Sequence, residues 1–178
     1  TTPEGRVTTL VLDELGRAIS QQDSGLGPAA MTYNALGQVT STAYGTGPEA
    51  RATTFSYGTD GNLDSVTDVL NQTVDYAHDA AGRLVTRTLA DGAVVAFGYN
   101  PAGDLTSVTP PGQPAHQFGY DLRGRIASIS PPPVPGSGPT TYAYSVDDEL
   151  ITVSRPGNEA VTFTHDSAGR LQTMELLQ

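Results

Sequence analysis

The groups in this 178-residue chain able to move a proton or hold an ion are three His, nineteen Asp or Glu, and nine basic residues, all of them Arg. There is no Cys, which excludes a thiol nucleophile, a Cys-ligated zinc, an iron–sulfur cluster and a disulfide framework. Asp stands just ahead of a Gly-Arg pair at Asp79 before Gly82-Arg83, at Asp121 before Gly124-Arg125 and at Asp166 before Gly169-Arg170. Paired acids hydrolyse glycosides when their separation and acidities suit. An active site is used once, however, and these acids recur at one sequence position, where accepting bonds from turn amides accounts for them. The Arg that follows is placed to pair with such an Asp of its own or a neighbouring repeat. His78 and His165 lie four repeats apart, too far to share a metal, and His116 stands alone near a turn. Asp147-Asp148-Glu149 is the one irregular acidic cluster; it lacks the spaced oxygen ligands of a calcium loop and reads as a solvated turn. No phosphate loop, nucleophile elbow or His-Glu-x-x-His is present. The residues thus predict no catalytic group, no cofactor and no metal.

What positions these groups is an internal repeat. Gly16, Gly37, Gly61, Gly82, Gly103, Gly124, Asp148 and Gly169 align at spacings of 21 or 24 residues. Four residues before them stand Leu12, Tyr33, Tyr57, His78, Tyr99, Tyr120, Tyr144 and His165. Six before stand Leu10, Met31, Phe55, Tyr76, Phe97, Phe118, Tyr142 and Phe163. Two after stand Ala18, Val39, Leu63, Leu84, Leu105, Ile126, Leu150 and Leu171. Residues two apart share one face of a β-strand, so the first two columns form an aromatic ladder. Such a ladder is a stacking platform for sugars or, more simply, a row of cross-strand contacts. His78 and His165 replace Tyr ring for ring.

Each strand runs into a polar segment such as Asp121-Leu122-Arg123-Gly124, where Asp or Asn bonds the backbone ahead and Gly takes a positive φ. A second strand rich in β-formers follows, for example 83–88 or 104–109. A second turn closes the unit about ten residues later; Asp91-Gly92 is a two-residue hairpin signal there, and Pro111-Gly112 and Pro156-Gly157-Asn158 take the same place. Both insertions fall at second turns, around 45–48 and in 131–138, because loop tips accept insertions and strands in register do not. Glu4-Gly5 fits the same frame, so the chain is expected to open at a second turn, in mid-repeat. The prediction is an all-β array of antiparallel hairpins, about sixteen short strands over residues 1–178 in eight repeats, forming a curved or spiralling sheet; one layer cannot hide both faces, so either strong curvature or a partner is expected.

The formal charge of −10 argues against wrapping nucleic acid, where affinity comes from Lys and Arg on phosphates, and against an anionic membrane surface. No apolar run reaches membrane-span length, and no leader pattern opens the chain. Most of the twenty Gly and thirteen Pro fall at the turns, and the apolar content of 37% suits a single layer without a solid core. The ends of such a sheet expose edge strands that invite self-association.

The unit Tyr120-Asp121-Leu122-Arg123-Gly124-Arg125-Ile126, with His78 to Leu84 and His165 to Leu171 as close copies, resembles the YD repeat of Rhs proteins over essentially the whole chain. Asn34, Asn100, Gly58 and Ser145 depart from it at the Asp position, and Asp148-Glu149 stands for Gly-Arg; those copies are expected to keep the strands and lose part of the turn chemistry. The resemblance, which extends to bacterial Rhs and polymorphic toxins, insecticidal toxin complexes and teneurins, implies a spiralling β-shell. It implies a non-enzymatic scaffold, secreted or at the cell surface, whose partners are further repeats of the same protein and an enclosed C-terminal toxic domain. Eight repeats are few for a complete shell, so a segment of a larger protein is expected. The closing region with cargo-releasing Asp residues is not found by Gln178. The alternative is an adhesion or carbohydrate-binding module using exposed Tyr or the loop near Pro131.

Overall fold

Turn residues recur every 10 to 12 positions, which leaves strand-length runs between them and no room for a helix of ordinary length. The computed structural model of the chain describes residues 7–45, 47 and 50–177. Among them every regular element of length is a strand, all pairings are antiparallel, and no helix is long and apolar enough to cross a membrane. The Glu4-Gly5 turn and residues 46 and 48 of the first insertion lie outside the described residues.

The chain divides into two compact units, Thr1–Ala93 and Val94–Gln178. In the first, β1 (Thr8–Leu12), β2 (Ala18–Asp23), β3 (Ala29–Tyr33), β4 (Val39–Tyr44), β5 (Arg51–Tyr57), β6 (Leu63–Thr67), β7 (Thr73–His78) and β8 (Leu84–Thr88) pair each with the next. The second repeats the plan with β9 (Val94–Tyr99), β10 (Leu105–Thr109), β11 (His116–Tyr120), β12 (Ile126–Ser130), β13 (Thr140–Tyr144), β14 (Leu150–Ser154), β15 (Ala160–His165) and β16 (Leu171–Leu177), again in sequence order.

The first turns share one geometry. Asp79 N–H donates to Arg83 O at 2.9 Å, and Gly82 N–H to Asp79 O at 2.9 Å. The same two bonds close the turns at 13–17, 34–38, 58–62, 100–104, 121–125, 145–149 and 166–170. The fourth turn residue sits in the left-handed region, at φ 76° for Gly82 and 77° for Gly124, which only Gly enters without steric cost. Beyond it the departing strand carries one extra residue: Tyr33 faces Val39 while Thr32 faces Ser41, so Thr40 is left over. This bulge returns in every such hairpin, three residues past the left-handed position, and it bends the departing strand.

One local expectation changes. Asp91-Gly92 does not make a two-residue loop: Leu89 N–H bonds Ala93 O and Gly92 N–H bonds Leu89 O, so the loop holds Ala90, Asp91 and Gly92. The Asp91 carboxylate takes the Ala93 N–H at 2.9 Å, which favours the longer form. His116, expected near a turn, opens β11 just past the turn at 110–113, opposite Val108.

Among the described residues no side chain, apolar or polar, is buried. The aromatic columns are half-buried and the residues between them in β3, β5 and β7, Thr32, Ser56 and Ala77, are exposed. Each unit is therefore held by strand pairing and cross-strand contacts rather than by a core.

Candidate functional site

The groups with chemistry gather at the first turns. Asp79 Oδ1 accepts the Ala81 N–H at 2.9 Å and the Arg83 N–H at 3.1 Å. Its Oδ2 takes the Arg83 guanidinium through Nε at 2.7 Å and NH2 at 2.6 Å. Asp121 with Arg123 and Arg125 and Asp166 with Ala168 and Arg170 repeat this set. So does Asp13 with Leu15 and Arg17, a copy whose Leu12 hides it from a search for Tyr-Asp, although its Asp and Gly-Arg spacing is intact. In all four a single carboxylate oxygen takes both Nε and NH2 of its own repeat's Arg, while the other caps the turn amides.

These bonds hold the carboxyls below the usual carboxylate range. For Asp79, Asp121 and Asp166 the Arg side-chain bond is the largest cause, and for Asp13 it is the Arg17 backbone N–H, with the guanidinium next. A group so stabilised as the anion, with both oxygens engaged, has neither the proton of a general acid nor the free lone pair of a base.

The divergent turns keep more of this chemistry than their sequences suggest. Asn34 Oδ1 receives Leu36 N–H and Gln38 N–H, both at 3.0 Å, while Nδ2 donates to Gln38 Oε1. Asn100 receives Asp104 N–H and donates to its carboxylate. Where Gly58 offers no side chain, Asp60 takes the Asn62 N–H and amide; the amide bond leads the causes that lower the Asp60 carboxyl. Ser145 Oγ accepts Asp147 N–H and Glu149 N–H, each at 3.2 Å. Asp148 sits where Gly stands elsewhere, at φ 67°, and its Oδ1 pairs with NH1 of Arg123 and of Arg125. The acidic cluster is thus an ion-paired turn rather than a merely solvated one.

The ladder residues do two things. Phe97 faces Val108, Phe118 faces Ile129, Tyr142 faces Val153, Phe163 faces Met174 and Tyr76 faces Arg87, all as cross-strand pairs. The Tyr column reaches backwards: Tyr33 OH donates to Ala18 O at 2.7 Å, Tyr57 OH to Val39 O at 2.8 Å, Tyr120 OH to Leu105 O at 2.8 Å and Tyr144 OH to Ile126 O at 2.9 Å. Each acceptor stands at the bulge of the preceding hairpin, beyond the last main-chain pair between the two hairpins, as Ser41 with Thr54 shows for Val39. The phenol so satisfies a carbonyl that the bulge takes out of the ladder. The turn Arg leans onto the same rings, with Arg17 Cζ 4.6 Å from the centre of Tyr33 and Arg125 Cζ 4.4 Å from that of Tyr144, close enough for cation–π attraction. Neither contact is visible in the sequence, because both cross from one repeat to the next at a bulge.

His78 and His165 close β7 and β15 at the Tyr position. His165 Nδ1 lies 3.7 Å from Glu149 Oε2. No group of three His, Asp or Glu able to hold a metal occurs among the described residues.

The family model described as Teneurin YD-shell matches residues 3–176. No curated protein matches the chain by sequence. Among solved structures the chain is similar to TcdB2–TccC3 without its hypervariable C-terminal region, at 17% identity and a TM-score of 0.71, over 95% of this chain and 10% of that one. It is also similar to the Photorhabdus luminescens Tc holotoxin pore, at 15% identity and a TM-score of 0.66, over 96% of this chain and 12% of that one. At these identities the likeness is one of fold, and this chain spans about a tenth of the length of those chains.

Proposed function

Because the chain belongs to the Teneurin YD-shell family, we propose that residues 1–178 act as one non-enzymatic YD-repeat array, a segment of a hollow β-sheet wall. The observation that carries this reading is the absence of any buried side chain among the described residues together with repeat-to-repeat bonding through the Tyr phenols. A single layer stitched in this way extends by adding hairpins, each contacting only its neighbours. It suits a wall better than a catalyst. The partners are further repeats of the same protein and a toxic domain enclosed by the wall, at a secreted or cell-surface location. The aromatic ladder supplies its cross-strand ribs, and Gly37, Gly61, Gly82, Gly103, Gly124 and Gly169 its corners.

Limited proteolysis of the full-length gene product tests the wall. A domain it encloses stays uncut until the array itself is cleaved; digestion of that domain at the rate of the free domain, with the array intact, contradicts the proposal. Binding of glycan through the ladder Tyr has less support, since Tyr99 and Tyr120 are half-buried and the Tyr120 hydroxyl is already given to Leu105 O.

A further inference from the structure

Of the twelve Tyr and Phe in the chain, eleven fall in the two ladder columns and Tyr44 alone does not. The equivalent residue seven positions after the turn Gly is Asp23, Asp68, Leu89, Pro110, Pro131, Arg155 or Leu176 in the other repeats, so the hairpin does not need an aromatic there. Tyr44 is 65% exposed, and no other aromatic ring ranks among the exposed large hydrophobic residues. It stands in a cross-strand row: Gln21 pairs with Ala29, Ala29 with Tyr44, and Tyr44 with Arg51. Directly opposed residues share a face of the sheet, and the small Ala29 between Gln21 and Tyr44 leaves a depression. A cavity of about 590 Å³ opens there, lined among others by Gln21, Asp23, Met31, Thr42, Tyr44 and Arg51, within the size range of small-ligand sites.

The lining combines an exposed ring beside an apolar floor with the Asp23 carboxylate, which takes the Thr8 hydroxyl on Oδ1 and a long 3.4 Å bond from Gln21 Nε2 on Oδ2 and keeps further lone pairs, and with donors on Gln21 and Arg51. A sugar presents the matching surfaces, C–H groups on one face of the pyranose ring and hydroxyls around its edge. One carboxylate against one guanidinium, on a chain of net charge −10, matches an uncharged sugar better than an acidic one. We propose that the cleft across β2 to β5 binds a neutral pyranose, its C–H face on Tyr44 and its hydroxyls on Asp23, Gln21 and Arg51. The cleft shares Met31 with the ladder, but Tyr44, Asp23, Gln21 and Arg51, which carry the sugar contacts, are neither ladder nor turn-corner residues, so their substitution tests the site apart from the proposed function.

Saturation-transfer NMR on the full chain tests it, with maltotriose, chitotriose and N-acetyllactosamine as neutral probes and a hyaluronan tetrasaccharide as the acidic one. The expected result is saturation of one ring face of at least one neutral probe, strongest in the ring protons nearest Tyr44. Tyr44→Ala and Asp23→Asn should each weaken that binding about tenfold, the scale of one stacking or charged hydrogen-bond contact, while Tyr44→Phe keeps it. Variants are scored only where their thermal unfolding matches wild type, and Tyr44→Ser replaces Tyr44→Ala if the latter fails that check. No transfer to any neutral probe, transfer to hyaluronan alone, or binding undiminished in a folded Tyr44→Ala or Tyr44→Ser variant would each overturn the proposal.

Discussion

The turns at 121–125 and 145–149 follow one another in the second unit and close with the same two backbone bonds, yet their side chains work differently. In the first, Asp121 caps two amides at 2.9 and 3.0 Å and grips Arg125, while Gly124 takes the left-handed corner. In the second, Ser145 caps through longer bonds of 3.2 Å and Asp148 occupies the corner at φ 67°, with Arg123 and Arg125 of the earlier turn bonded to it. The earlier turn is complete in itself and lends its cations to its neighbour. The backbone alone closes a turn; the side chains decide how strongly, and which neighbour shares the load.

The largest break in this contrast is expected at the corner. No neighbouring atom would meet a Cβ on Gly124, so Gly124→Val tests the left-handed backbone alone and should destabilise the chain by about 1–2 kcal/mol, read from the urea midpoint. Gly124→Asp should cost clearly less, because Asp tolerates this conformation, as Asp148 does. Next is Tyr144→Phe, which strips the phenol from Ile126 O between the two turns. A loss of about 1 kcal/mol is expected, and an unchanged midpoint would mean that water replaces the phenol without cost.

The two turns can also be made alike. Ser145→Asp combined with Glu149→Arg rebuilds the Asp–Arg pair in the second turn and should add roughly 0.5 kcal/mol, whereas Ser145→Asp alone sets two carboxylates together and should add nothing. Acid should act least per turn, since these carboxylates face solvent. Their pKa values are lowered in the folded state, so the stabilisation is present above the unfolded value, about pH 3.9, and is lost as pH falls through the lower folded value. Thermal unfolding should hold steady from pH 7 to about 5 and decline below about 4. Asp121→Asn should make that decline shallower.

The period of 21 or 24 residues carries most of the fold in plain view. Columns two apart set the strand face, and Gly four residues past the ring marks the turn. The Asp–Arg turns were legible for the same reason, since their partners are local in sequence. What stayed hidden depends on register. The loop at Asp91-Gly92 shifts by one residue because Asp91 caps Ala93. The phenol bonds reach a carbonyl at a bulge, and the Arg125–Tyr144 stack joins two hairpins; both depend on how strands pair. The Tyr44 cleft is hidden likewise, because it needs Gln21, Ala29, Tyr44 and Arg51 brought into one row from four strands.

The central claim is that neighbouring repeats are joined by side chains at their turns rather than by a core. A double-mutant cycle on Arg125→Ala and Tyr144→Leu addresses it most directly, because guanidinium and ring belong to successive hairpins and meet at 4.4 Å. The account predicts a coupling of about 0.5–1 kcal/mol, with the double variant less destabilised than the two single losses added together. Effects that add to within about 0.3 kcal/mol would show that the two turns do not support one another and would contradict it.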